Sequence, residues 1–299
     1  AGSFINLVTN PELAAEVTVQ PVDILGVDAA IIFSDILVIP EAMGLPYQMD
    51  EGKGPFFPKT IHSMEDVNAL ETENIAAHLN YVKEALEITL EKLEDRVPLI
   101  GFAGAPWTIF CYMIEGKGSK EFSKARRVLI EQPEMAQALL TKISDATIAY
   151  AQMQINTGIH IFQLFDSWAG VLNAGWYREM ILPHVERILS HIQNQIPVTF
   201  FAKGAHYALP DLQNLSCNVV GLDWNTDIHF ARKVLPSKTL QGNLDPAVLY
   251  GSNQQIVKST MEMVEKFGKS QYIANLGHGV YPDMDPNKLK LFIETIQKA

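Results

Sequence analysis

From end to end, the chain alternates short, almost continuously apolar runs with longer stretches of helical period. Seven runs read as strands: residues 28–33, 97–104, 159–165, 198–203, 218–223, 238–242 and 272–276. A strand with one wet face alternates apolar and polar residues, whereas most of these runs are apolar throughout. They therefore fit strands covered on both faces, as in a parallel sheet flanked by helices. The helix signals between them have physical markers. Asn10-Pro11-Glu12 places a capping residue before a first-turn proline, and Asp245-Pro246 and Asp285-Pro286 repeat the arrangement. Ser63 and Asp66 have the spacing of a capping box. Ile75, Leu79, Val82, Leu86, Leu90 and Leu93 step by three and four along one apolar helix face. Similar patterns predict helices over 132–157, 173–195, 252–267 and 286–298.

Alternating β and α elements require a parallel sheet, closed or open. No linker, composition shift or repeat of 20–50 residues divides the chain, so residues 1–299 are expected to form a single domain. Seven strands are one short of a (β/α)8 barrel. The expectation is an α/β, TIM-like barrel whose first strand is missing from the chain given. The alternative is an open doubly wound sheet, although no G-x-G-x-x-G follows any strand.

Charge and composition narrow the function. Hydrophobic residues make up 47% and charged residues 19%, which excludes wholesale disorder. A net charge of −11 argues against a binder of phosphate backbones. An anionic small molecule would need local positive charge to overcome this field, and there are only six arginines. No apolar run reaches the roughly 18–20 residues that span a bilayer, and the N-terminus lacks the pattern of a secretory signal. Cys111 and Cys217 cannot make a disulfide framework, so a reducing, cytoplasmic location is expected.

In parallel-sheet proteins chemistry collects where strands end. Those ends carry Ser34-Asp35, Ala105-Pro106-Trp107, Asp166-Ser167-Trp168, Lys203-Gly204, Asp223-Trp224, Gly242-Asn243 and Gly277-His278-Gly279. Each polar residue has a plain reading beside the functional one. Asp35 is a site carboxylate or a loop acid that caps the next helix. Asp166 reads as a structural acid bonding loop amides, and Ser167 as a turn hydroxyl or a substrate ligand. Tyr112 faces the mouth from the following helix or is a core tyrosine. His278, between glycines that let backbone approach a ligand, is a ligand residue or an exposed loop histidine. His184 and His191, seven apart, read as solvated positions on one helix face. No histidine or cysteine spacing fits a metal site, and neither a nucleophile elbow nor a Walker loop occurs, so no metal is expected.

Those strand-end segments resemble the uroporphyrinogen decarboxylases over essentially the whole chain. The resemblance rests on Phe33-Ser34-Asp35-Ile36-Leu37, on Gly101-Phe102-Ala103-Gly104-Ala105-Pro106-Trp107-Thr108 and on Tyr112-Met113-Ile114-Glu115-Gly116. It continues through Leu164-Phe165-Asp166-Ser167-Trp168-Ala169-Gly170, Gly221-Leu222-Asp223-Trp224, Leu240-Gln241-Gly242-Asn243-Leu244-Asp245-Pro246 and Asn275-Leu276-Gly277-His278-Gly279. It implies a distorted (β/α)8 barrel, usually a homodimer, that works without a cofactor. The implied reaction removes CO2 from the four acetate side chains of uroporphyrinogen III, giving coproporphyrinogen III on the route to haem. Asp35 matches the aspartate that meets the pyrrole N–H groups, and Tyr112 the active-site tyrosine. Ser167 and His278 match polar substrate contacts, and Phe33 an apolar residue near the macrocycle. The implied role of Asp35 is to stabilise a cationic pyrrole intermediate, with Tyr112 in support.

The family's opening strand and its Arg-Gln-Ala-Gly-Arg-Tyr loop have no counterpart in residues 1–299. A chain truly lacking them is expected to turn over little. Two alternatives are a zinc-dependent cobamide methyltransferase of a related barrel and a non-catalytic tetrapyrrole-binding protein. Against the first, Phe201-Ala202-Lys203-Gly204 stands where a His-x-Cys would be needed.

Overall fold

The computed structural model describes residues 2–50 and 52–299. Its main sheet has seven parallel strands in chain order: β1 (Ala30–Ile31), then β4 (Leu99–Gly104) to β9, with the small antiparallel hairpin of β2 (Gln48–Asp50) and β3 (Gly54–Phe56) lying apart. The remaining strands are β5 (Ile161–Asp166), β6 (Val198–Ala202), β7 (Val219–Gly221), β8 (Thr239–Leu244) and β9 (Tyr272–Leu276). All seven of the expected strands are present, and the hairpin is an addition that no apolar run announced.

The sheet curls. Gln241 on β8 donates to Gln163 on β5 at 3.4 Å although two strands separate them in the sheet, so this contact crosses the interior. The last helix, Pro286–Gln297, comes round to the first strand: Gln297 donates to the Gly26 carbonyl at 2.9 Å and to Asp28 at 3.3 Å. The result is a barrel-like half-cylinder with β1 and β9 as its edges and helices around the outside. None of the helices among the described residues is long and apolar enough to cross a membrane.

The caps form as the sequence dictates. The Ser63 hydroxyl and the Asp66 carboxylate close the expected capping box, and Asn10, Asp245 and Asp285 each accept a first-turn N–H. Three elements differ from expectation. The helix foreseen through Ile75 to Leu93 is broken at Leu79 into Ile75–His78 and Asn80–Leu93. The stretch 173–195 contains a π turn, Tyr177–Ile181, ahead of the helix Leu182–Ile192. The run 28–33 shortens to two strand residues, and the next N–H facing the open edge, that of Phe33, donates to the Thr18 hydroxyl at 2.8 Å.

That early end would orphan the next backbone groups on β4. The last register pair is Ile31 with Ile100, so Phe102 has no strand partner on that side. Gln154, buried in the helix Pro133–Thr157, takes over: its Oε1 accepts from the Phe102 N–H at 3.0 Å and its Nε2 donates to the Phe102 carbonyl at 2.9 Å. One amide side chain thus supplies a missing length of strand, satisfying buried groups that would otherwise be costly.

His184 is not solvated. It is buried, 2.8 Å from Gln137 on the neighbouring helix Pro133–Thr157, and burial lowers its pKa. His191, seven residues on, is exposed as expected.

Candidate active site

Parallel pairing puts the C-terminal ends of all seven strands on one rim, so the polar segments that follow them meet there. Phe33 and Asp35 follow β1, Tyr112 lies on the helix Pro106–Glu115 after β4, and Ser167 is the first residue after β5. Lys203 follows β6, Trp224 lies just beyond β7, and His278 two residues beyond β9.

Asp35 is the most constrained of these. It is held by an Asx turn in which its Oδ1 accepts the Leu37 N–H at 3.0 Å. Burial raises its pKa, while the Leu37 and Ile36 N–H groups and the Tyr47 hydroxyl pull the other way. Glu41, on the short helix Val38–Ala42, is raised by burial and by the charge of Asp35. Behind them the hydroxyls of Tyr47, Tyr81 and Tyr150 are kept neutral by burial, and the negative charge of Asp35 adds to this at all three. Neutral phenols beside a carboxylate can stabilise charge without supplying it.

Tyr112 joins Asp35 electrostatically: burial raises its pKa, the neighbouring Trp168 lowers it, and the Asp35 charge raises it further. Its ring stands edge-on to Trp168 at 6.4 Å and to Phe122 at 6.0 Å. Ser167, half-buried, lies between Trp168 and Asp166 in the chain. The ring of Phe33, also half-buried, stands edge-on to Phe4 at 6.0 Å.

On the far side of the rim, His278 is exposed at its edge, with Trp224 at 6.0 Å and Phe201 at 6.5 Å between ring centroids. Partial burial and the Lys203 ammonium lower its pKa, leaving a neutral imidazole at pH 7 that can donate and accept. Phe102, Phe165 and Phe201, on β4, β5 and β6, stand edge-on at 5.8 and 6.0 Å and continue this wall of rings. The mouth is therefore aromatic, with polar groups at a few fixed points. Such a lining suits a large, flat, partly apolar ligand.

The rim is locked by strand-end acids. Asp223 accepts from the Gly204 and Asn225 N–H groups and from the Thr226 hydroxyl, tying the loops after β6 and β7 together. Asp166 has the structural role read for it, accepting from Thr108 at 2.7 Å and Tyr177 at 2.8 Å. Complete burial pushes its pKa up to about 6, against those two hydroxyls and the Trp168 N–H. Its folded pKa thus lies above the unfolded value of 3.8, and the folded state holds the proton more tightly. The resulting stabilisation is fully present below about pH 4 and is lost as pH rises through about 6. Relative to Asp166→Asn, which does not titrate, the protein should lose about 2 kcal/mol of unfolding free energy between pH 4 and 7. Urea unfolding of both proteins at the two pH values measures it.

The sequence places Lys203 and Trp224 at strand ends without assigning them a role, and it does not point to Glu41, Tyr47 or Tyr81. Glu41 had a faint signal, an acid in the apolar stretch Val38-Ile39-Pro40-Glu41-Ala42; the two tyrosines had none. Among the described residues no cluster of three His, Cys, Asp or Glu could hold a metal ion. Cys111 and Cys217 are buried, their thiols pushed up chiefly by burial.

Comparison with known proteins adds the chemistry. The family model described as "Uroporphyrinogen decarboxylase (URO-D)" matches residues 1–299. The chain is 45% identical over 303 residues to the uroporphyrinogen decarboxylase of Chloroherpeton thalassium, covering 99% of this chain and 86% of that protein. It is also 45% identical over 307 residues to the uroporphyrinogen decarboxylase of Schizosaccharomyces pombe, covering 98% and 86%. Among solved structures, a methyltransferase from Methanosarcina mazei superposes with a TM-score of 0.85 at 18% identity, covering 97% of this chain and 86% of that one. A B12-independent methionine synthase from Shewanella superposes with a TM-score of 0.64 at 10% identity, covering 99% and 90%. At those identities the structural likeness speaks for the barrel fold alone.

Proposed function

Because the chain belongs to the uroporphyrinogen decarboxylase family, we propose that its rim is the decarboxylase active site, with Asp35 as the charged centre. The protein is a carboxy-lyase acting on uroporphyrinogen, as its relatives' names state. Four acetate side chains of the tetrapyrrole lose CO2 and become methyl groups. The methyltransferase reading is not favoured, since the relatives near 45% identity are decarboxylases throughout.

Loss of CO2 leaves an electron pair that needs a sink. Protonation of a pyrrole α-carbon creates an iminium-like cation next to the acetate, and the C–CO2 bond then breaks toward it. The exocyclic methylene so formed takes a proton, and the α-carbon releases the first one. Each cycle consumes one carboxylate and one proton and yields CO2 and a methyl group. The pyrrole does what a cofactor does elsewhere, and no cofactor is invoked.

The protein must then stabilise positive charge at ring nitrogen. The observation that carries the proposal is Asp35, a largely buried carboxylate fixed by backbone N–H groups at an aromatic mouth. A fixed charge in a water-poor cleft acts more strongly than one in solvent and needs no reorganisation during the reaction. Tyr112 supports the bound ring, and Ser167 and His278 meet its polar edge. Phe33 offers an apolar contact. Anaerobic incubation of the full-length protein with uroporphyrinogen III, followed by oxidation and chromatography, tests the reading. Porphyrins with seven, six, five and four carboxylates are the expected ladder; an unchanged octacarboxylate contradicts it.

The proposal extends to a cytoplasmic homodimer, as the family resemblance implies. Sedimentation equilibrium should give about twice the 33.3 kDa of the chain given, and a monomer mass at micromolar concentration would remove the dimer.

A further inference from the structure

We infer that Lys203 is a binding residue for a carboxylate of the substrate, an inference that rests on the decarboxylase reading above. Of the residues that directly follow the seven strands of the main sheet, Lys203 alone carries a positive charge. Its backbone is held on both sides. Its N–H donates to the Asp166 carbonyl at 2.9 Å, its carbonyl accepts from the Gly170 N–H at 2.9 Å, and the next N–H, of Gly204, goes to Asp223. Gly170 and Gly204 make this closeness possible, since a Cβ on Gly170 would meet the Gly204 Cα at 3.0 Å. The stem therefore leaves a rigid part of the rim.

The ammonium lies 5.7 Å from the centroid of the Trp224 ring. It is near enough to His278 to depress the histidine pKa, which places it on the same stretch of rim. Among the described residues no carboxylate pairs with it and no hydrogen bond uses it. A half-buried lysine without an anion is unusual, because desolvating the charge is costly unless it is paired. An aromatic face returns part of that cost. The proposed substrate carries eight carboxylates and approaches a chain of net charge −11, so it needs local cations at the mouth. Lys203 supplies one, with the neutral imidazole of His278 beside it as a second donor. The chemistry recognised is a flexible alkyl carboxylate at the edge of a flat macrocycle.

Lys203→Met keeps the stem over Trp224 and removes the charge; Lys203→Arg keeps the charge. The comparison is the anaerobic Kd for uroporphyrinogen III by equilibrium dialysis, with KM and kcat alongside. A lost charge-assisted contact predicts a Kd and KM roughly tenfold higher for Lys203→Met, with kcat within about threefold of wild type. Lys203→Arg should restore both constants to within about threefold. Raising the salt should weaken binding more in wild type than in Lys203→Met. A Kd for Lys203→Met within about twofold of wild type, in a variant with unchanged melting temperature, overturns the inference. So does a fall in kcat with KM unmoved, which marks a structural role. If Lys203→Met does not fold, Lys203→Gln takes its place with the same expected loss. If wild type binds without releasing CO2, the decarboxylase reading fails while the Kd comparison still decides Lys203.

Discussion

Asp35→Asn should lower kcat by roughly a hundred- to a thousandfold while moving KM by no more than about threefold. The substitution keeps the shape and an oxygen that can accept the Leu37 N–H, so the turn after β1 survives. What disappears is a negative charge that matters most when the pyrrole becomes cationic. An interaction made chiefly in the transition state is lost from kcat rather than from binding. Its size follows from other preorganised charges and donors, where removal of one costs about 3–4 kcal/mol. The same group sets an acid limit. Burial holds the Asp35 pKa above the ordinary carboxylate value, so activity should fall as pH drops through a point above 3.8. Asp35→Asn should lack that limb. Steady-state kinetics of both proteins across pH settle it; equal kcat values would remove Asp35 from the charged role.

Gly277→Ala should cost about 3 kcal/mol of stability and displace His278. A Cβ at this position would sit 3.0 Å from the Trp224 Cα and 3.0 Å from the Asp223 carbonyl carbon, and closer still to the Trp224 amide nitrogen. These are backbone atoms and cannot rotate away. The Gly277 N–H is also anchored to the Leu244 carbonyl at 2.7 Å, so the strand end cannot back off freely. Overpacking at a site flanked by fixed backbone falls at the upper end of the usual 1–3 kcal/mol range. The expected outcome is a lower urea midpoint and a kcat/KM reduced at least tenfold, because the loops after β7 and β9 part. Gly279→Ala, whose Cβ meets nothing within 4 Å, is the control and should change stability by less than about 0.5 kcal/mol.

The parallel sheet was readable because burial on both faces removes the apolar–polar alternation. The run 198–203 matches β6 to within one residue and every residue of that strand is buried, whereas 272–276 matches β9 to the residue although the strand alternates between half-buried and exposed positions up to Leu276. Boundaries failed where a side chain replaced a ladder bond. Thr18 covers the open edge after β1 from a helix fifteen residues earlier, and Gln154 completes β4 from 52 residues later. Neither partnership leaves a local pattern. The break at Leu79 is hidden similarly, since the apolar stripe runs straight through it.

For the proposed site, the strand-end rule points to Asp35, Ser167, Lys203 and His278, because parallel topology puts the strand ends on one rim. It reads Asp166 as structural but leaves Asp35 open between a site carboxylate and a loop cap. Asp166 and Asp35 look alike in sequence, but Asp166 is enclosed by Thr108 and Tyr177 whereas Asp35 retains a side toward Tyr112. Tyr47 and Tyr81 reach the Asp35 neighbourhood from just before the hairpin and from the helix Asn80–Leu93, an approach that only tertiary packing creates.

CO2 should leave from acetate groups held at this rim under the charge of Asp35. Uroporphyrinogen III labelled in its acetate carboxyl carbons tests this most directly, by counting labelled CO2 released anaerobically by wild type and by Asp35→Asn. Wild type should release four labelled CO2 per coproporphyrinogen formed. Release from the variant should be about a hundredfold or more slower, with substrate binding retained. No release from wild type, or equal release from both proteins, would contradict it.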